Sequence, residues 1–145
     1  MTEPLLSHVV VPVADESDAA ATCDAIVPRV AESGGRITAV HVIEKAGGAP
    51  DKASVEQREL VAEEAFDVVV ERCEAAGVPV ETDVVFHTDV VEAILVAGRK
   101  ADASAIVFRP REGSRWLDLL TGDVAHDLVK RADRPVLVLP TEDDD

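Results

Sequence analysis

The sequence predicts an α/β fold, an open parallel sheet with helices on both faces, on three observations. Short apolar runs such as His8-Val-Val-Val-Pro-Val13 and Ala105-Ile-Val-Phe108 alternate with longer segments whose apolar residues recur at helical spacing. The order of runs and segments is β-α-β-α-β-α-β-α-β. The first run is unbroken by polar residues, as expected of a strand covered on both faces.

His8 to Val13 is therefore a central strand. From Ser17 to about Ser33, Ala20, Cys23, Val27 and Val30 form a helical stripe, with Pro28 expected to kink it and Gly34-Gly35 to stop it. Ile37 to Ile43 reads as the second strand, and the Gly/Pro-rich stretch Lys45 to Pro50 as a loop. Ser54-x-x-Gln57 is a capping pair that opens a long helix. Its inner face runs Ala62, Ala65, Phe66, Val69, Cys73 and Ala76 before Gly77 ends it. Pro79 to Phe86 returns as a strand, and Asp89-x-x-Glu92 starts a helix with Val91, Ile94, Leu95 and Gly98 on one side. Ala105 to Phe108 is the fourth strand, Asp123 starts the last helix, and Pro135-Val-Leu-Val-Leu-Pro140 is the fifth strand.

A chain of 145 residues suits one domain, residues 1–140, followed by an acidic tail, 141–145. The 29 acidic and 14 basic residues give a net charge of −15, which disfavours nucleic acid as a partner. Acidity spread over the helices and both ends suits a surface kept soluble at high salt, as in a halophilic host; an ordinary acidic cytosolic protein is the other reading. Cys23 and Cys73 fall on apolar helix faces without metal-ligand spacing, and read as buried free thiols. No stretch approaches the roughly 18 apolar residues of a membrane helix, and the N-terminus does not resemble a signal peptide, so no membrane association and a cytoplasmic location are expected.

Two ends of the chain carry a family likeness: Val9-Val-Val-Pro-Val13, and Thr121-Gly-Asp-Val-Ala125 through Pro135-Val-Leu-Val-Leu139. On these residues the sequence resembles the universal stress protein family over almost its whole length. The resemblance implies a Rossmann-like sheet of order 3-2-1-4-5, of the adenine nucleotide alpha hydrolase-like type, with ligands bound beyond the carboxyl ends of strands 1 and 4. It also implies a glycine motif, Gly-x-x-Gly, nine residues, then Gly-Ser or Gly-Thr, cradling phosphate by backbone N–H groups. Laid over that motif, this chain has Arg109, Glu112, Gly122 and Asp123, so only the third glycine matches. Side chains at 109 and 112 obstruct a phosphate, and the Asp123 carboxylate can cap the helix where an anion would bind.

The family's first strand ends Pro-Val-Asp-Gly-Ser, with the aspartate helping to hold the nucleoside; this chain has Pro12-Val13-Ala14-Asp15-Glu16-Ser17. Asp15 either takes that role one residue late or, with Ser17, caps the first helix. The resemblance thus marks Pro12, Val13, Ala14, Asp15, Val42, Arg109, Arg111, Arg115, Gly122 and Asp123 as candidate ligand-binding positions. Arg109, Arg111 and Arg115 either bind an anion through their guanidinium groups or neutralise Glu112, Asp118 and Asp123. Trp116 with Leu117, Leu119 and Leu120 either anchors the loop or meets a partner.

Other chemistries find little support. His8, His41, His87 and His126 show no metal-ligand spacing, and neither a nucleophile elbow nor a Walker phosphate loop is present. Asp15 and Glu16 imitate the acidic pair of a response-regulator receiver, but strands 3 and 5 end Val85-Phe86-His87 and Val138-Leu139-Pro140, without its aspartate and lysine.

The last strand, Val136, Leu137, Val138 and Leu139, is apolar yet at an edge, where unpaired backbone groups invite another strand. In the resembled family this strand pairs with its own copy across a two-fold axis. The expectation is a non-enzymatic stress-response or regulatory homodimer, with room for an unknown protein partner, no cofactor, and ATP binding disfavoured. The alternative is a nucleotide- or anion-binding domain, with weak ATP hydrolysis, in which the arginines replace the glycine motif.

Overall fold

Strand and helix alternate along the chain in the predicted order. The computed structural model describes residues 4–44, 52–110 and 122–140. Its elements are β1 (His8–Pro12), α1 (Glu16–Glu32), β2 (Arg36–Glu44), α2 (Lys52–Ala76), β3 (Val80–His87), α3 (Val90–Ala101), β4 (Ala105–Phe108), α4 (Gly122–Arg131) and β5 (Val136–Val138). Every strand pairing is parallel and the sheet order is β3-β2-β1-β4-β5, as the resemblance implies.

The two-residue period of a strand sorts the core into two layers. Val9, Val11, Val13, Ile37, Ala39, Ala105 and Val107 face α1 and α2, meeting Cys23, Ile26, Val30, Val69 and Cys73. Val10, Val40, Val42, Ile106 and Phe108 face α3 and α4, meeting Ile94, Leu95 and Leu128. Each such aliphatic side chain contributes about 1.5–3 kcal/mol by leaving water. Cys23 and Cys73 are buried free thiols, and burial pushes their pKa values up to about 12 and about 11, so they pack as small apolar groups.

Helix boundaries correct several expectations. Pro28 lies inside α1, which continues from Glu16 to Glu32, with its ring on the exposed side. The stripe of α1 runs through Ala19 rather than the half-exposed Ala20, and it includes two polar residues, Asp18 and Thr22, both at 0% exposure. Helix α2 starts at Lys52, ahead of the Ser54-x-x-Gln57 pair. Ala76 is exposed, and Gly77 ends the helix at φ +74°. At α3 the expected cap is present: Asp89 Oδ1 accepts from the N–H groups of Val91 (3.0 Å) and Glu92 (3.2 Å).

Ion pairs bind α3 to α4. Arg131 reaches Asp89, Glu92 and Asp127 at 3.3–3.4 Å, and Arg99 reaches Glu92 and Asp133. Arg134 donates to the carbonyls of Gly98 (3.0 Å) and Ala103 (2.9 Å), which fixes the entry to β5. The two sheet edges differ. Edge β3 exposes Glu81, Thr82 and Asp83, charges that discourage pairing, whereas β5 is apolar, with Val138 at 42% exposure.

Gly34 and Gly35 make a discriminating test. Gly34 needs a left-handed conformation (φ +68°) but has open space around it, while a Cβ on Gly35 would lie 1.9 Å from the Leu6 carbonyl oxygen. Gly34→Ala is expected to cost about 1 kcal/mol and Gly35→Ala to fall at or above the top of the ~1–3 kcal/mol overpacking range. Urea denaturation of both variants decides the order.

Candidate functional site

Strands β1 and β4 are neighbours whose connections leave in opposite directions, so a crevice opens beyond their carboxyl ends. The chain leaves β1 through Val13, whose N–H donates to the Val40 carbonyl at 2.9 Å, and turns at Ala14 and Asp15 into α1. Asp15 is extended (φ −151°, ψ −174°) and caps the helix, its Oδ1 accepting from the Asp18 N–H at 2.8 Å. Asp18 answers in the opposite direction. Its Oδ2 accepts from the Ala14 N–H at 2.7 Å, a capping box that closes on the residue before the cap.

On β4 the same two-residue period that points Phe108 toward α3 and α4 points residue 109 toward α1. Arg109 Nη1 accordingly lies 3.5 Å from Asp18 Oδ1, with the arginine side chain 13% exposed and the aspartate 0%. Charges excluded from water attract strongly, and each compensates the other's desolvation. The carboxyl ends of β1 and β4 are thus bridged through Ala14, Asp18 and Arg109.

A buried histidine stands beside this bridge. His41, on the α1 side of β2, is 8% exposed, and its Nδ1 donates to the Val13 carbonyl at 2.9 Å. Because a carbonyl only accepts, this bond places the ring proton on Nδ1. Burial holds the His41 pKa below its ordinary value, reinforced by Arg58 and opposed by the Val13 bond and Asp15.

The described members of the marked set divide by side chain between the two faces of the sheet. Arg109 and Asp15 gather around Asp18 on the α1 side, whereas Ala14 and Val42 pack in the opposite layer with Phe108. Pro12 ends β1 in register with Val40, and Val13 is 2% exposed. Gly122 is the first residue of α4. Asp123 is exposed one residue inside that helix rather than at its cap. Arg111, Glu112, Arg115 and the Trp116 cluster lie outside the described residues. Of the last strand, Val136, Leu137 and Val138 pair with Ile106, Val107 and Phe108, and Leu139 is buried, its N–H donating to the Phe108 carbonyl at 2.8 Å.

Asp18 and His41 are the residues that sequence reasoning missed. The spacing Asp15-x-x-Asp18 is a capping signal, and alternation from Ala105 through Val107 to Arg109 gives the arginine's face; the register of β1 with β4 is what brings the two together. Among the described residues, no group of three His, Cys, Asp or Glu side chains is placed to hold a metal ion. Nor is any helix there long and apolar enough to cross a membrane.

Removing one partner of a buried ion pair strands the other, so Asp18→Ala should destabilise the fold by about 3–5 kcal/mol in urea. A loss under 1 kcal/mol would show that Arg109 finds compensation without it. His41 sets a pH dependence. With its folded pKa below the unfolded value of about 6.5, the unfolded chain binds the proton more readily between the two. Stability should therefore fall as pH drops through that window, and the slope contributed by this residue should vanish in His41→Gln.

Comparison with known proteins places this geometry. The family model described as the universal stress protein family matches residues 6–140. Among solved structures, the universal stress protein UspA from Lactobacillus plantarum superposes with a TM-score of 0.70 at 18% identity, over 95% of this chain and 100% of its own. A universal stress protein family member from Burkholderia pseudomallei gives 0.68 at 24% identity, over 96% and 99% of the two chains. The universal stress protein from Archaeoglobus fulgidus in complex with dAMP gives 0.68 at 21% identity, over 91% and 96%. No curated protein matches the sequence significantly. The structural likenesses speak for the fold, and the family match covers nearly the full length: the chain belongs to the universal stress protein family.

Proposed function

We propose that this protein is a non-enzymatic, cytoplasmic stress-response or regulatory module that acts as a homodimer and does not bind nucleotide in the glycine-motif mode. The observation that carries this reading is the Ala14–Asp18–Arg109 bridge across the carboxyl ends of β1 and β4. The Archaeoglobus fulgidus relative was solved with dAMP. In this chain a guanidinium stands at the first position of the resembled motif, where a glycine would let backbone N–H groups approach a phosphate, and it is held by an internal carboxylate. The Ala14 N–H, at the other side of the crevice, is engaged by the same carboxylate.

The homodimer rests on the contrast between the sheet edges. Charged residues guard β3, whereas β5 leaves an apolar edge that an antiparallel copy can cover, over a short stretch set by Pro135 and Pro140.

Calorimetric titration of nucleotide-free protein with Mg-ATP, ADP and AMP at low and high salt should give no binding heat. Saturable binding of any of the three to the unmodified protein overturns the reading. Sedimentation should show a dimer, and Val138→Glu should shift it toward monomer by opposing like charges near the two-fold axis. A wild-type monomer at micromolar concentration refutes the dimer.

A further inference from the structure

Arg109 has bonding capacity that Asp18 does not use. Its Nη1 is buried and has no hydrogen-bond partner among the described residues, standing 3.5 Å from Asp18 Oδ1, whereas a charge-assisted N–H to carboxylate bond closes to about 2.7–2.9 Å. The aspartate thus neutralises the guanidinium by charge without satisfying that nitrogen. Across from it, the Ala14 N–H donates to the other oxygen of the same carboxylate at 2.7 Å. One planar anion is held between a cation from β4 and a backbone donor from the end of β1, and it belongs to the protein itself.

We propose that Asp18 is a tethered competitor in an oxyanion site formed by Arg109 and the Ala14 N–H. The site takes a phosphate-class oxyanion once the Asp18 carboxylate is neutralised or withdrawn, and is shut while that carboxylate is in place. The inference rests on the closed-crevice reading above and adds how the closure is made and what it excludes. Tethering explains why the closed form prevails. A carboxylate fixed on the first turn of α1 competes as an intramolecular ligand at high effective concentration, so a free oxyanion at ordinary concentration does not displace it. The tether is itself held by the bond from the Asp18 N–H to Asp15 Oδ1 at 2.8 Å, so the first turn of α1 governs the contact. Phosphate suits the vacated place chemically. Its oxygens can accept from Nη1 and from the Ala14 N–H together, and Arg109 favours a charged oxyanion over a neutral ligand.

The test is calorimetric titration of wild type, Asp18→Asn and Asp18→Asn/Arg109→Leu with inorganic phosphate and with AMP at fixed ionic strength. Wild type is expected to be silent, Asp18→Asn to bind both with a gain of about tenfold or more over any wild-type signal, and the double variant to lose that gain. Asp18→Asn as silent as wild type, or a gain that survives removal of Arg109, overturns the proposal. Should the single variant be too unstable to titrate, its melting temperature in phosphate against chloride of equal ionic strength replaces the titration. Phosphate is expected to raise it more than that of the double variant, which controls for general salt stabilisation, and equal responses overturn the proposal. Failure of the two readings is distinguishable. Binding by wild type removes the proposed function, whereas silence of both wild type and Asp18→Asn removes only the tethered-competitor inference.

Discussion

Asp18 carries a carboxylate to a place that water does not reach, and the first turn of α1 is arranged around keeping it there. A buried charge is tolerable only with a counter-charge and donors. Ala14 and Arg109 supply these from the ends of β1 and β4. The local cap, the exit from the central strand and the exit from its neighbour are therefore coupled through one side chain. Loss of the carboxylate would leave an arginine buried on one side and a backbone donor unsatisfied on the other.

This coupling sits where an open α/β sheet offers its ligand crevice. In the glycine motif that the family likeness implies, backbone N–H groups are left free so that a phosphate can approach them. Here the anion is built in and the cation is a side chain. On the proposed reading, such a substitution exchanges an open receptor for a closed contact and leaves the outer surface of the fold to carry function. Among the described residues, the proposed self-association draws on the apolar β5 edge, and α3 and α4 present an ion-paired face. The salt-exposed network of Arg131 and Arg99 stiffens that face most when ionic strength is low.

Most of the architecture was legible in the sequence because it follows from apolar periodicity. The valine-rich run at 8–13, the Asp89 cap and the two-glycine stop after α1 each have a local cause and appear where that cause puts them. Boundaries were less legible. Ala76 has too little apolar surface to enforce burial, and the Ser54 pair lost to helix continuation upstream. The site was least legible, since a helical wheel assigns an aspartate to solvent and nothing local at Asp18 announces a partner on β4. Likewise, the resemblance marks both Val42 and Arg109, and alternation places them on opposite faces of the sheet. The faces were recoverable from period two alone, but the pairing required the parallel register of β1 with β4.

Whether Asp18 and Arg109 act as one unit is measured most directly by a double-mutant cycle in urea. Stabilities of wild type, Asp18→Ala, Arg109→Ala and the double variant give the interaction energy. Strong coupling is expected, above about 1 kcal/mol, with the double variant far less damaged than the sum of the singles. Losses that add to within about 0.3–0.5 kcal/mol would contradict it, since two residues that do not interact cannot close the crevice between β1 and β4.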